Sequence, residues 1–184
     1  MKKLYKFAFC GKMHSGKTTA MQMVAAILQN KYGKDNTTAF HLKFANPIYR
    51  TLGLLHVPGK PRTFMQKFGD LCREQFGDDV FEKALELEYD DLMVRGVANR
   101  NQDYISILID DVRFKGEADL LKRLGFKVIK IEASEEVRRS RGVELFKNPT
   151  HRSEIELEKI EVEHVINNDQ SYPDLLEQIK KLIE

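Results

Sequence analysis

The chain has 184 residues, 42% hydrophobic and 32% charged, with a formal net charge of +2. That length suits one domain with a real core, and the near-neutral charge argues against a nucleic acid polymer as partner. No apolar run approaches the ~20 residues of a bilayer span, and two distant cysteines and five histidines without ligand spacing argue against a zinc module or a disulfide framework. These features predict a cytoplasmic protein with reduced thiols and no membrane partner. The opening "MKKLYKFAFCGK" lacks the long apolar region of a signal peptide. Its apolar run leads directly into a glycine loop, so it reads as a first strand.

Residues 5–10, "YKFAFC", make that strand. From Lys17 the pattern is helical, with Ala20, Val24, Ile27 and Leu28 on one face and Gly33 as the stop. Residues 38–45 alternate and predict strand two, and Pro47 opens the next helix. "VPGKP" (57–61) is a turn, and 62–99 is mostly helical with a break near Gly77. "YISILI" (104–109) is almost continuously apolar, as a strand buried on both faces should be. Then come a helix at 117–125, a strand at 127–133, and a helix at 134–142 capped by Ser134. A short strand at 164–167 precedes a closing amphipathic helix with Leu175, Ile179 and Leu182 on one face. Five strands alternating with helices predict a three-layer α/β/α fold around a five-stranded parallel sheet, with right-handed crossovers. The whole chain, 1–184, is expected to be a single domain.

"GKMHSGKT" (11–18) fits G-x-x-x-x-G-K-[ST], the phosphate-binding loop. Gly11 and Gly16 let the backbone bend so that successive N–H groups, those of His14, Ser15 and Thr19 among them, face phosphate oxygens. The helix that follows brings its positive N-terminus to the same anion. Lys17 reaches the β- and γ-phosphates of ATP, and Thr18 offers a hydroxyl to Mg2+. Lys12 and the His14 side chain read as solvent-facing. A preceding strand and a following amphipathic helix supply the context that a bare motif match lacks.

The second half of such a site is a carboxylate at the end of a buried strand. "ILIDDVRF" (107–114) supplies Asp110 and Asp111 at that edge, where open α/β sheets bind ligands. One of them should serve Mg2+, in part through water; the alternative is a pair of acids capping the next helix. No glutamate follows the pair directly, which weakly disfavours a hydrolytic motor. A kinase needs mobile cations and an acceptor site. Residues 136–152 carry Arg138, Arg139, Arg141, Lys147 and Arg152, so 138–152 is a candidate lid whose arginines meet the transferring group. Its interleaved glutamates also suit a plain solvated helix. Arg62, Gln66, Gly69 and Arg73 share one helical face that could grip a monophosphate and read a base edge. The alternative there is an ordinary polar face, with Phe64, Phe68 and Leu71 covering the core.

"LKFANPIYRTL", "RTFMQKFGDLCREQFGDDVF", "IDDVRFKGEADLLKRLGFKVIKI", "HRSEIELE" and "VINNDQSYPDLLEQI" resemble the bacteriophage-type deoxynucleoside monophosphate kinases, in order and over nearly the whole chain. The resemblance implies a P-loop kinase fold that moves the γ-phosphoryl of ATP onto a deoxynucleoside monophosphate, with an acceptor-binding helical region at 46–99. Asp111 and Arg113 match the family's DVRF position, which favours Asp111 over Asp110. Phe44, Asn46, Arg62, Gln66 and Arg73 match acceptor positions, Arg138, Arg139 and Arg141 match the lid, and Asn168 falls where related kinases pack adenine. His151, Ser153 and Glu154 match an H-x-S-E element. Asp70 and Phe81 depart from the family's usual threonine and tryptophan, and both bear on base preference. A homodimer in a host cytoplasm is compatible with the resemblance. Dephospho-coenzyme A and phosphomevalonate kinases share pieces of the pattern. An ATP-binding switch without a small acceptor is the reading from another class.

Overall fold

The computed structural model describes residues 2–142 and 152–184, and for Ser153 and Glu154 the backbone alone. Lys147 and His151, with most of the candidate lid, lie outside the described residues. Residues 1–41 and 101–184 form one unit, and residues 42–100 form a second.

The first unit is built on strands β1 (Lys3–Cys10), β2 (Thr37–Leu42), β3 (Tyr104–Val112), β4 (Lys127–Glu132) and β5 (His164–Asn167). They form a five-stranded parallel sheet in the order β2-β3-β1-β4-β5. Helices α1 (Lys17–Tyr32) and α8 (Tyr172–Ile183) pack on each other, and α5 (Lys115–Arg123) packs on β4. Two shorter helices, α6 (Glu135–Arg141) and α7 (Arg152–Glu156), lie between β4 and β5 in the chain.

Alternation along the strands divides the core. Tyr5, Phe7, Phe9, Leu108, Ile129, Ile131 and Ile166 cluster with Ala20, Val24 and Leu28 of α1 and with Leu175 and Ile179 of α8. The intervening residues Ala8, Ile105, Ile107 and Ile109 point the other way and are fully buried too. Both faces are covered, as a parallel sheet requires. Cys10 is fully buried, and its burial pushes the thiol up to about 11, which makes it an inert core residue rather than a nucleophile.

The second unit is helical: α2 (Asn46–Leu54), α3 (Arg62–Phe76) and α4 (Val80–Asp91), with a π-helical turn at Leu92–Val97. α2 and α4 pack on α3. Pro47 lies in the first turn of α2, and Gly77 ends α3 at φ +101°.

Three sequence expectations shift by a few residues. Strand β2 stops at Leu42, so Phe44 is buried just beyond it. Strand β3 runs on to Val112 and takes in both aspartates. On α8 the buried position is Ile183, with Leu182 only partly covered.

Candidate active site

Helix α1 begins directly at the loop. Gly16, its N-terminal cap, has φ +102°, Gly11 has φ +142°, and His14 is left-handed at φ +59°. A Cβ on Gly11 would stand 2.3 Å from the Ile131 carbonyl oxygen, and one on Gly16 would stand 2.2 Å from the Asn168 side-chain nitrogen. Only glycine fits at either position.

Lys17 is buried, and its Nζ donates to the carbonyls of Gly11 (2.7 Å) and Lys12 (2.8 Å). The ammonium is thus held across the mouth of the loop. Ser15 is fully buried, and its Oγ has no hydrogen-bond partner among the described residues. An orphaned hydroxyl, two glycines with no room for a side chain, and a helix N-terminus together fit a phosphate group.

Asp110 closes the site from β3. Its Oδ2 accepts from Thr18 Oγ1 at 2.5 Å, and its Oδ1 lies 2.8 Å from His41 Nε2. Asp110 is buried, whereas Asp111 is half-buried. The register explains the difference. Ala8 pairs with Ile109 but Cys10 pairs with Val112, so β3 carries one extra residue at the two aspartates. Such a bulge re-aims side chains. Asp110 keeps the parity of Leu108, which faces α1. Thr18 and Asp110 form a hard-oxygen set suited to magnesium, which takes one or two protein oxygens together with substrate phosphates and water. Among the described residues no group of three or more His, Cys, Asp or Glu is placed to hold a metal, so the phosphates would have to complete any coordination.

The last strand buttresses the loop. Asn168 is buried, and its side-chain nitrogen donates to the Ser15 carbonyl at 2.7 Å. Arg141 Nη2 donates to the Asn168 carbonyl at 2.8 Å, and its Nη1 lies 3.4 Å from the His14 carbonyl oxygen. Arg141 therefore reaches the loop from α6. Arg139 pairs with Glu135, and Arg138 Nε donates to the Ala133 carbonyl. Thr19 continues α1 one residue after Thr18. The Arg113 backbone N–H donates to the buried Glu117, which also accepts from the Phe114 N–H and so caps α5. The Asn168 amide lies on loop backbone, so its geometry shows a structural duty in addition to the adenine contact that the resemblance implies.

In the helical unit, Arg62, Gln66 and Arg73 are half-buried, and Gly69 is the one buried residue of α3. A Cβ on Gly69 would stand 3.7 Å from Ile48 of α2 and 3.5 Å from the Arg73 guanidinium. Phe64 and Leu71 are 40% and 50% exposed. Arg62, Gln66 and Arg73 are thus more sheltered than Phe64 and Leu71, while Phe68 is half-buried as they are. Arg73 stacks 4.6 Å above the Phe81 ring. Asn46 donates to Glu88, which also pairs with Arg50. Burial pushes the Glu82 carboxyl above its usual range, its own N–H and Arg73 pull it back, and its Oε2 has no hydrogen-bond partner among the described residues.

Similarity agrees with this geometry at the level of fold. TT1252 from Thermus thermophilus superposes with a TM-score of 0.52 at 19% identity, covering 99% of this chain and 97% of that one. The Mycobacterium tuberculosis APS kinase CysC, solved with AMPPNP and APS, gives 0.51 at 14% identity, covering 99% and 95%. The fold is that of the P-loop kinases. No protein-family model matches the chain. Over 133 residues the chain is 29% identical to an Acanthamoeba polyphaga mimivirus protein named "Putative deoxynucleotide monophosphate kinase". That stretch is 67% of this chain, and the chain spans 61% of the relative's length. No helix among the described residues is long and apolar enough to cross a membrane.

His41 and Glu117 are the site residues that sequence reasoning missed. Glu117 had a signal, since a glutamate at the third position of a helix is half of a capping box. His41 had none, because its partnership with Asp110 depends on β2 lying beside β3.

Proposed function

We propose that this P-loop kinase fold transfers the γ-phosphoryl group of ATP to a deoxynucleoside 5′-monophosphate, giving ADP and the deoxynucleoside diphosphate. The observation that carries the donor half is the pair Lys17 and Thr18 at the start of α1, with Thr18 hydrogen-bonded to the strand-end Asp110. The acceptor half rests on the motif matches and on the similarity to the mimivirus protein.

Magnesium, when bound, offsets charge on the β- and γ-phosphates. Thr18 Oγ1 can ligate the ion through a lone pair while its O–H donates to Asp110. Asp110 is therefore the carboxylate we assign to that end of the site, ahead of Asp111. Lys17, held at the mouth of the loop, stabilises charge building toward the β–γ bridge. The loop N–H groups and Ser15 Oγ hold phosphate oxygens. Arg113, Arg138, Arg139 and Arg141 are the cations assigned to the transferring group. The Arg139–Glu135 pair is exposed, so separating it costs little. In the helical unit, Arg62 and Arg73 hold the acceptor phosphate, while Gln66, with Phe44 and Asn46, orients the nucleoside. The attacking phosphate oxygen is already anionic near neutral pH, so no strong base is needed and catalysis is mainly positioning and charge stabilisation.

The test is ADP release from ATP and magnesium against dAMP, dCMP, dGMP, dTMP, their ribose forms and dephospho-coenzyme A. Stimulation by one or more deoxynucleotides, lost in Lys17→Ala, is the expected result. Equal slow release with every acceptor would sink the kinase reading and favour an ATP-binding switch.

A further inference from the structure

We infer that His41 is a positioning residue for the magnesium end of this site, a hydrogen-bond donor that fixes the Asp110 carboxylate so that it orients Thr18. The inference rests on the proposed magnesium–ATP reading. His41, Asp110 and Thr18 come from β2, β3 and α1 and meet in one chain of contacts. His41 Nε2 is 2.8 Å from Asp110 Oδ1, and Thr18 Oγ1 is 2.5 Å from Asp110 Oδ2. The Asp110 side chain is 5% exposed and that of His41 is 33% exposed.

A carboxylate only accepts, so both partners donate to it and His41 presents Nε2–H. The terminal torsion of an aspartate is soft. Donors on both oxygens hold the carboxylate plane more firmly than a donor on Oδ2 alone. With Asp110 fixed, the Thr18 O–H stays aimed at Oδ2 and the lone pairs of Oγ1 are left for a cation. Outer partners of this kind orient a ligand that they never touch. Burial makes the second donor matter, because a carboxylate oxygen that loses its partner away from water is costly.

The experiment is calorimetric binding of a non-hydrolysable ATP analogue to the full chain, once with magnesium and once with EDTA. The readout is the gain in affinity that magnesium provides. Wild type, His41→Leu, His41→Gln and Asp110→Asn are compared. His41→Leu is expected to lose about tenfold of the magnesium-dependent gain with its EDTA affinity unchanged. His41→Gln, whose amide can donate from a similar reach, is expected to keep most of it. Should the leucine variant not fold, His41→Asn, whose amide stops short of Asp110, replaces it with the same expectation. A full magnesium gain in His41→Leu, or equal losses with and without magnesium, would overturn the inference. No magnesium gain in wild type would instead remove the donor-site reading, and the inference with it.

Discussion

Asn168, one residue past the last strand, hydrogen-bonds the Ser15 carbonyl across 153 positions of sequence, at 2.7 Å. The same side chain occupies the space where a Cβ on Gly16 would go, 2.2 Å from its nitrogen. One residue thus fixes the loop's backbone and excludes any side chain from its second glycine. Gly16→Ala meets both this collision and a left-handed φ, a backbone strain of about 1–3 kcal/mol. It should abolish nucleotide binding. Asn168→Ala leaves the Ser15 carbonyl with only the long 3.5 Å contact from Arg141 Nη1, a loss of about 1 kcal/mol, and should lower Tm and weaken ATP binding. Adding Asn168→Ala to Gly16→Ala should cost less than the sum of the two, because they share the contact. Thermal melts and ATP titrations of the four proteins check this.

Asp110 and Asp111 should separate cleanly. Asp110 accepts from Thr18 and His41. We expect Asp110→Asn to lower kcat at least about a hundredfold, the scale of losing a preorganised charge at a transition state, and to raise the magnesium requirement. Asp111→Asn should keep its magnesium dependence near wild type. Steady-state rates across a magnesium series distinguish the two, and the reverse order would return the role to Asp111, as the family motif implies.

Arg73 lies over the Phe81 ring, beside Gly69 on the sheltered face of α3. If it holds the acceptor phosphate, Arg73→Lys keeps the charge but loses the planar, bidentate fork. The expected outcome is a rise of about tenfold or more in acceptor KM with the KM for ATP unchanged. Equal changes in both constants would place Arg73 outside acceptor binding.

The Glu82 carboxyl titrates above its ordinary value of 4.5, chiefly because burial disfavours its charged form. The folded protein therefore binds this proton more tightly than the unfolded chain does. Stability from this group is gained as pH falls through the folded value and is lost above it. Glu82→Gln removes the charge, so the variant should melt above wild type at neutral pH. The gap should shrink as pH falls toward 4.5. Melts across that range check the sign, and a gap that widens on acidification would contradict it.

Much of the architecture was legible in the sequence because it repeats locally. The almost continuously apolar run at 104–109 marked a doubly covered strand, and alternating elements marked a parallel α/β sheet. The loop motif required a strand before it and a helix after it, and both are present. The π-helical turn at Leu92–Val97 was not legible, because its apolar spacing continues that of the helix before it.

For the candidate site, the sequence by itself determined the loop, its lysine and threonine, and the two acids at a strand end. Each is set by residues adjacent in the chain and by glycines that local backbone geometry demands. Only the tertiary structure decided which acid meets Thr18. Apart from the buried Ser106, strand β3 is apolar up to Ile109, so no regular polar alternation marks the side facing α1, and a one-residue bulge at the aspartates shifts the register. Strand order likewise decided that His41 joins Asp110, and chain closure that Asn168 locks Ser15. Those contacts span 69 and 153 residues, beyond any periodicity or motif, and they form only when separate strands share one sheet edge.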